Sequence, residues 1–175
     1  AFAAFCAEQA AWLDDFALFM ALKSEHQAQN GGVWSSWPLK LAQRDPKAMA
    51  TWSKKLADDI NRHKFLQFIF FQQWNALKQY ANNNGVQIVG DTPIFVAYDS
   101  ADVWANPDQF FLDETGQPTV IAGVPPDYFS ETGQRWGNPL YNWEVMKEDG
   151  YAWWASRLSM IFEQVDIVRL DHFRG

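Results

Sequence analysis

Cysteine is almost missing from this sequence. Cys6 is the one cysteine among 175 residues, so no internal disulfide forms within it, and a reducing compartment is the expected setting. Cys6 itself reads as a small buried apolar residue. Basic side chains are also in deficit, with 14 Lys and Arg against 21 Asp and Glu, a net charge of −7 and an isoelectric point near 4.8. That balance argues against a nucleic-acid partner, whose phosphates call for a Lys/Arg surplus. Long apolar runs are lacking too. None approaches the roughly 20 residues needed to span a bilayer, and no basic segment precedes the first apolar residues, so no membrane partner is expected and a cytoplasmic location is. His26, His63 and His172 show no metal-ligand spacing, and there is no glycine-rich phosphate loop, so neither metal nor cofactor is expected. A repeat of fixed period is absent, which sets the solenoid classes aside.

What the sequence has in excess is flat rings. Ten Trp, 14 Phe and five Tyr make 17% of the chain. Sugars present apolar C–H faces that pack on aromatic rings, so an acidic, Trp-rich chain points towards carbohydrate, while most of the rings are expected to fill contacts between helices and a barrel. The remaining composition, 48% hydrophobic and 20% charged, is that of an ordinary globular domain or a large piece of one.

Apolar positions at helical spacing from Phe5 to Leu22 predict a helix that the polar run Ser24 to Gly32 ends. Val33 to Pro38 reads as an irregular connection. Asp45-Pro46 supplies an N-cap followed by proline in the first helical turn. Helical periodicity then runs with one break through Trp52, Leu56, Phe65 and Leu77 to Tyr80, until Asn82-Asn83-Asn84-Gly85 stops it. Val86 to Val89 reads as a short buried parallel strand leading into Gly90-Asp91. Between Thr92 and Asn138 no period is sustained, and an excursion of that length is usually functional. Trp143 to Glu163 is expected to be helical with an interruption at Gly150, and Val165 to Leu170 a second strand that runs into Asp171. Both chain ends read as cut, the first residues as mid-helix and the last as the continuation of a strand. Two short strands ending in aspartate, with helices between, fit an α/β fold, a partial (β/α)₈ barrel with helical and loop insertions.

In such barrels catalytic side chains stand at the C-terminal ends of the strands, where Asp91 and Asp171 fall. Arg169 and Asp171 share one face of an extended chain, because side chains alternate with period 2. A guanidinium beside a carboxylate favours the ionised form, and an ionised aspartate can attack an anomeric carbon to give a covalent glycosyl intermediate. The alternative is a structural ion pair at a strand end, and spacing alone leaves both open.

Three long motifs carry a resemblance. Asp166 to Gly175 (DIVRLDHFRG) resembles the nucleophile strand of the amylomaltases, a family of 4-α-glucanotransferases (glycoside hydrolase family 77) in the clan of the α-amylases. Gly90 to Asn106 (GDTPIFVAYDSADVWAN) is similar to the same family's earlier barrel-strand motif, and Gly123 to Tyr141 (GVPPDYFSETGQRWGNPLY) to the loop that arches over its active site. The Trp12 to Phe19 helix and the Trp37-Pro38 to Asp45-Pro46 stretch match less specifically.

The resemblance implies that residues 1–175 are part of one (β/α)₈ catalytic domain truncated at both ends. It implies a retaining transfer of α-1,4-glucan segments from a maltodextrin donor to glucose or a maltodextrin acceptor, with Asp171 as nucleophile and Arg169 keeping it ionised and touching the sugar before the scissile bond. Asp91 supports the base of the site. Tyr128 and Phe129 guide the glucan, Gln134 and Trp136 lie near the acceptor path, and His172 shapes the donor side or packs as a hydrogen-bonded histidine. The acid/base glutamate and a third acidic residue belong to later strands in this family, and neither Glu131 nor Glu144 matches the acid/base motif, so residues 1–175 alone are expected to be inactive. Two other readings remain: an α-glucan hydrolase of the same clan, and a non-catalytic glucan-binding protein.

Overall fold

The computed structural model describes residues 1–30 and 32–173, the side chains of 28–30 excepted. Two helices, α1 (Phe2–Glu8) and α2 (Ala10–Asn30), open the chain, and a 3-10 turn over Trp34–Ser36 leads to α3 (Leu39–Ala42). The polar stretch from Ser24 does not end α2, contrary to the expectation from sequence. Its polar residues pack on later parts of the chain instead: the His26 ring lies 5.2 Å from that of Trp52 and 5.9 Å from that of Trp37, and Lys55 donates to Glu25 at 2.7 Å.

Next comes α4 (Pro46–Lys55), begun as the sequence predicts: Asp45 accepts a hydrogen bond from the Ala48 N–H and proline takes the first turn. The predicted break falls at Leu56, and α5 (Ala57–Asn83) continues to a stop before Gly85. Rings from three helices interleave here. Phe2 and Phe5 of α1 and Trp12 of α2 meet Phe65, Phe68 and Phe71 of α5 with centroids 5.5–6.0 Å apart, which accounts for part of the aromatic excess by helix packing.

The first strand, β1 (Val89–Pro93), is followed by α6 (Ala101–Ala105), the hairpin strands β2 (Ile121–Val124) and β3 (Gln134–Pro139), helices α7 (Trp143–Glu148) and α8 (Ala152–Gln164), and β4 (Ile167–Asp171). The strand expected at Val86 to Val89 therefore lies three residues further on. Nor is it buried on both sides, since Val89 is 60% exposed. Its bounds are set by pairing rather than propensity: β1 and β4 run parallel, with Val89 opposite Ile167, Asp91 opposite Arg169 and Pro93 opposite Asp171. The excursion from Thr92 to Asn138, without period in the sequence, contains α6 and the antiparallel pair β2–β3.

Side chains of the parallel pair sort onto two faces. Thr92 is buried on the helix side, and Gly90 there passes so close to Val165 that a Cβ would lie 2.8 Å from its Cγ1. The other face carries Val89, Asp91, Ile167, Arg169 and Asp171. The main core sits beside the strands, between α2, the Trp34 to Leu41 segment, the Ile94-Phe95-Val96 exit of β1, and α6 to α8. Trp104 is fully buried at its centre, with its indole N–H donating to the Leu41 carbonyl at 3.0 Å and the Arg44 guanidinium 4.2 Å from its ring.

Candidate active site

Parallel pairing brings together residues 78 positions apart. Arg169 donates to Asp91 with one Nη and to Asp171 with the other, the latter at 2.7 Å. The same-face placement expected for Arg169 and Asp171 is thus observed, and Asp91 joins them because its own register partner is Arg169. All three remain half-exposed, with side-chain exposures of 57%, 61% and 50% for Asp91, Arg169 and Asp171. Two carboxylates bridged by one guanidinium form a row of fixed geometry on an open face, held by the fork of Arg donors. Below this row on the same face lie Val89 and Ile167, both exposed apolar side chains.

The base of β4 is tied separately. Asp166 accepts hydrogen bonds from the Ile88 N–H and the Asn82 amide, both at 2.8 Å, and Lys78 stands 3.8 Å away. These partners hold its carboxyl below the usual carboxylate range, the Ile88 N–H contributing most. The effect on structure is to clamp the start of β4 to the start of β1.

The remaining sequence candidates lie on or against the hairpin. Gln134 opens β3, and its Oε1 accepts from the Trp136 indole N–H at 3.0 Å. The Trp136 ring meets the His172 imidazole edge to face, with centroids 4.7 Å apart. His172 adopts a left-handed backbone, φ 52°, which turns the chain immediately after Asp171. On its other side Trp136 contacts Phe95. At the hairpin tip Asp127 Oδ1 accepts from the N–H groups of Phe129 and Ser130, both at 2.9 Å. Gly133 closes the tip at φ 73°, where a Cβ would lie 2.5 Å from the Val124 carbonyl oxygen. That turn leaves Tyr128 and Phe129 98% and 87% exposed, touching each other edge to face. They are near the other candidates in sequence but project from the hairpin tip. Glu131 lies in the same tip and Glu144 in α7, both exposed.

Sequence reasoning missed two contributors. Phe95, buried, bridges Trp136 and Tyr141, and Arg157 of α8 donates to the carbonyls of Pro93 at 2.7 Å and Ile94 at 3.3 Å, and to the Tyr141 hydroxyl at 3.1 Å. A lone arginine in an amphipathic helix gives no local signal of such contacts. A cleft of about 760 Å³ between Trp34, Leu39, Phe110 and Asn142 lies elsewhere, and none of the candidate residues lines it. Among the described residues no group of three or more His, Cys, Asp or Glu is placed to hold a metal ion, and no helix is long and apolar enough to cross a membrane.

The sequence profile of the family described as 4-alpha-glucanotransferase matches residues 1–175. The 4-alpha-glucanotransferase of Thermus thermophilus is 56% identical over 176 residues, covering all of this chain and 34% of that protein. The Synechocystis enzyme of the same name is 53% identical, over 99% of this chain and 34% of its own length. The amylomaltase of Streptococcus agalactiae, solved in complex with acarbose, superposes with a TM-score of 0.91 at 41% identity, covering 99% of this chain and 34% of that one. The chain thus spans about a third of the length of these relatives. With the family profile matched from first residue to last and relatives more than half identical over the whole chain, the chain belongs to the 4-alpha-glucanotransferase family.

Proposed function

We propose that residues 1–175 are part of one (β/α)₈ catalytic domain that transfers α-1,4-glucan segments between maltodextrins, in the cytoplasm, by a retaining double displacement. The observation that carries this reading is the row of Asp91, Arg169 and Asp171 on one face of the parallel pair β1–β4. Parallel strands joined through helices, with acidic residues towards their C-terminal ends, are the arrangement of a barrel active site. Val89 and Ile167 support it, because apolar side chains open on the same face are those a closed barrel would cover. The acarbose complex of the Streptococcus agalactiae relative supports a glucan substrate, and the single free cysteine supports a reducing compartment.

In the first step the Asp171 carboxylate attacks the anomeric carbon, and the bond to the leaving glucan oxygen breaks as that oxygen takes a proton. In the second, the 4-OH of glucose or a maltodextrin attacks the same carbon, loses its proton to the general base and releases Asp171. Arg169 anchors Asp171 to Asp91 throughout, so the nucleophile is held in one rotamer. The acid/base carboxyl must stand roughly 5 to 5.5 Å from the nucleophile. The family resemblance assigns it to a later strand. Tyr128, Phe129, Gln134 and Trp136 line an arch that receives the acceptor and keeps water from the intermediate. No metal or cofactor enters either step.

The test is to express the protein from its complete coding sequence, incubate it with maltotriose and resolve the products by length, beside Asp171→Asn. A ladder of longer maltodextrins together with glucose, reduced about a thousandfold or more in the variant as expected for loss of a nucleophile, supports the reading. Maltose and glucose without longer products would make the protein a hydrolase. No reaction at all would favour a glucan-binding protein.

A further inference from the structure

A closed circuit of contacts joins the hairpin to the nucleophile strand. Pro93 pairs with Asp171 in the parallel register. Its carbonyl, with that of Ile94, accepts from Arg157, and Arg157 also donates to the Tyr141 hydroxyl just beyond β3. Tyr141 in turn donates to the Ile94 carbonyl at 2.7 Å and stacks on Phe95 with centroids 5.9 Å apart. Phe95 meets Trp136, and Trp136 meets His172, the neighbour of Asp171. Burial pushes the Tyr141 hydroxyl up to about 12, so it remains a donor across the neutral range. The guanidinium is held over Trp154 and Trp153, 4.9 and 5.4 Å from their centroids, on the helix that leads into β4.

We propose that Arg157 is a positioning residue: through Tyr141 and the carbonyls of Pro93 and Ile94 it sets the arch against Asp171, and so decides whether the covalent intermediate passes to a sugar or to water. The inference rests on the transferase reading above. In both outcomes the ester bond between Asp171 and the anomeric carbon breaks. That carbon bonds either to the acceptor 4-O or to a water oxygen, and the proton of the attacking hydroxyl or water goes to the general base. Three donor hydrogens of one rigid fork hold two strand ends at once, which a lysine ammonium cannot reproduce. Arg157 is hydrogen-bonded to Pro93, Ile94 and Tyr141 and lies over Trp153 and Trp154, and its influence is exerted through Tyr141, Phe95 and Trp136.

The experiment compares wild type, Arg157→Lys, Tyr141→Phe and the double variant, each expressed from the complete coding sequence. Longer maltodextrins and newly formed reducing ends are measured from maltotriose, alongside the melting temperature. The ratio of transfer to hydrolysis should fall about tenfold in either single variant, the scale of a hydrogen-bonded link lost from the circuit. The double variant should fall no further, because both changes cut one path. If Arg157→Lys does not fold, the nearly isosteric Tyr141→Phe carries the same prediction. An unchanged ratio in Tyr141→Phe, with only total activity or melting temperature lowered, would reduce the circuit to a structural brace and overturn the proposal. Wild type that only hydrolyses would overturn the transferase reading itself, and this inference with it.

Discussion

Trp136 and His172 meet edge to face, 4.7 Å between ring centroids, and this contact joins the hairpin strand β3 to the residue that follows Asp171. An aromatic pair of this geometry is worth about 0.5–1.5 kcal/mol beyond the area it buries. Its removal should therefore be felt in kcat/KM for transfer, by up to about tenfold. In a double-mutant cycle on Trp136→Ala and His172→Ala, the double variant should be less impaired than the product of the singles. Independent, multiplicative losses would show that the two rings serve separate ends.

Tyr128 and Phe129 touch each other and are almost wholly exposed at the hairpin tip. Replacing either by alanine removes little packing, so stability should change by no more than about 0.5 kcal/mol. If they hold a glucan, KM for the acceptor should rise about tenfold, with the melting temperature unmoved. A loss of stability with unchanged KM would mark them as packing residues for some other surface.

The Asp166 clamp predicts a pH dependence. The Ile88 N–H and the Asn82 amide, helped by Lys78, depress this carboxyl in the folded state. A depressed carboxyl stabilises the fold above its unfolded value, near 3.9, and that contribution is lost as pH falls through the lower folded value. Glu25, held down by Lys55, and Asp113, held down by Thr115 and the Gln117 N–H, act in the same window. Melting temperature should therefore decline below about pH 4, and Asp166→Asn should make that decline shallower while lowering the plateau at neutral pH. An unaltered acid limb in the variant would remove Asp166 from the account.

Much of the helical fold was legible because its signals are local. The Asp45 carboxylate caps the Ala48 N–H three residues away, and the stop at Asn82 to Gly85 and the interruption at Gly150 act within a turn. The errors arose where partners are remote. Ser24 and the polar residues after it look like the end of a helix, but His26 and Glu25 are drawn into contact with Trp37, Trp52 and Lys55. Val86 to Val89 has the composition of a strand, whereas the strand is Val-Gly-Asp-Thr-Pro, poor in propensity and defined by its ladder with Ile167 to Asp171.

By itself the sequence determined that Asp171 closes a strand, that Arg169 and Asp171 share a face, and which family those motifs resemble, because these depend on residue identity and on alternation along one segment. Tertiary structure alone decided that Asp91 joins them, that Trp136 reaches His172, and that Arg157 ties Pro93 and Ile94 to Tyr141. Those contacts bridge from 16 to 78 positions of chain, and their free energy comes from register and packing that exist only once the strands and helices have come together.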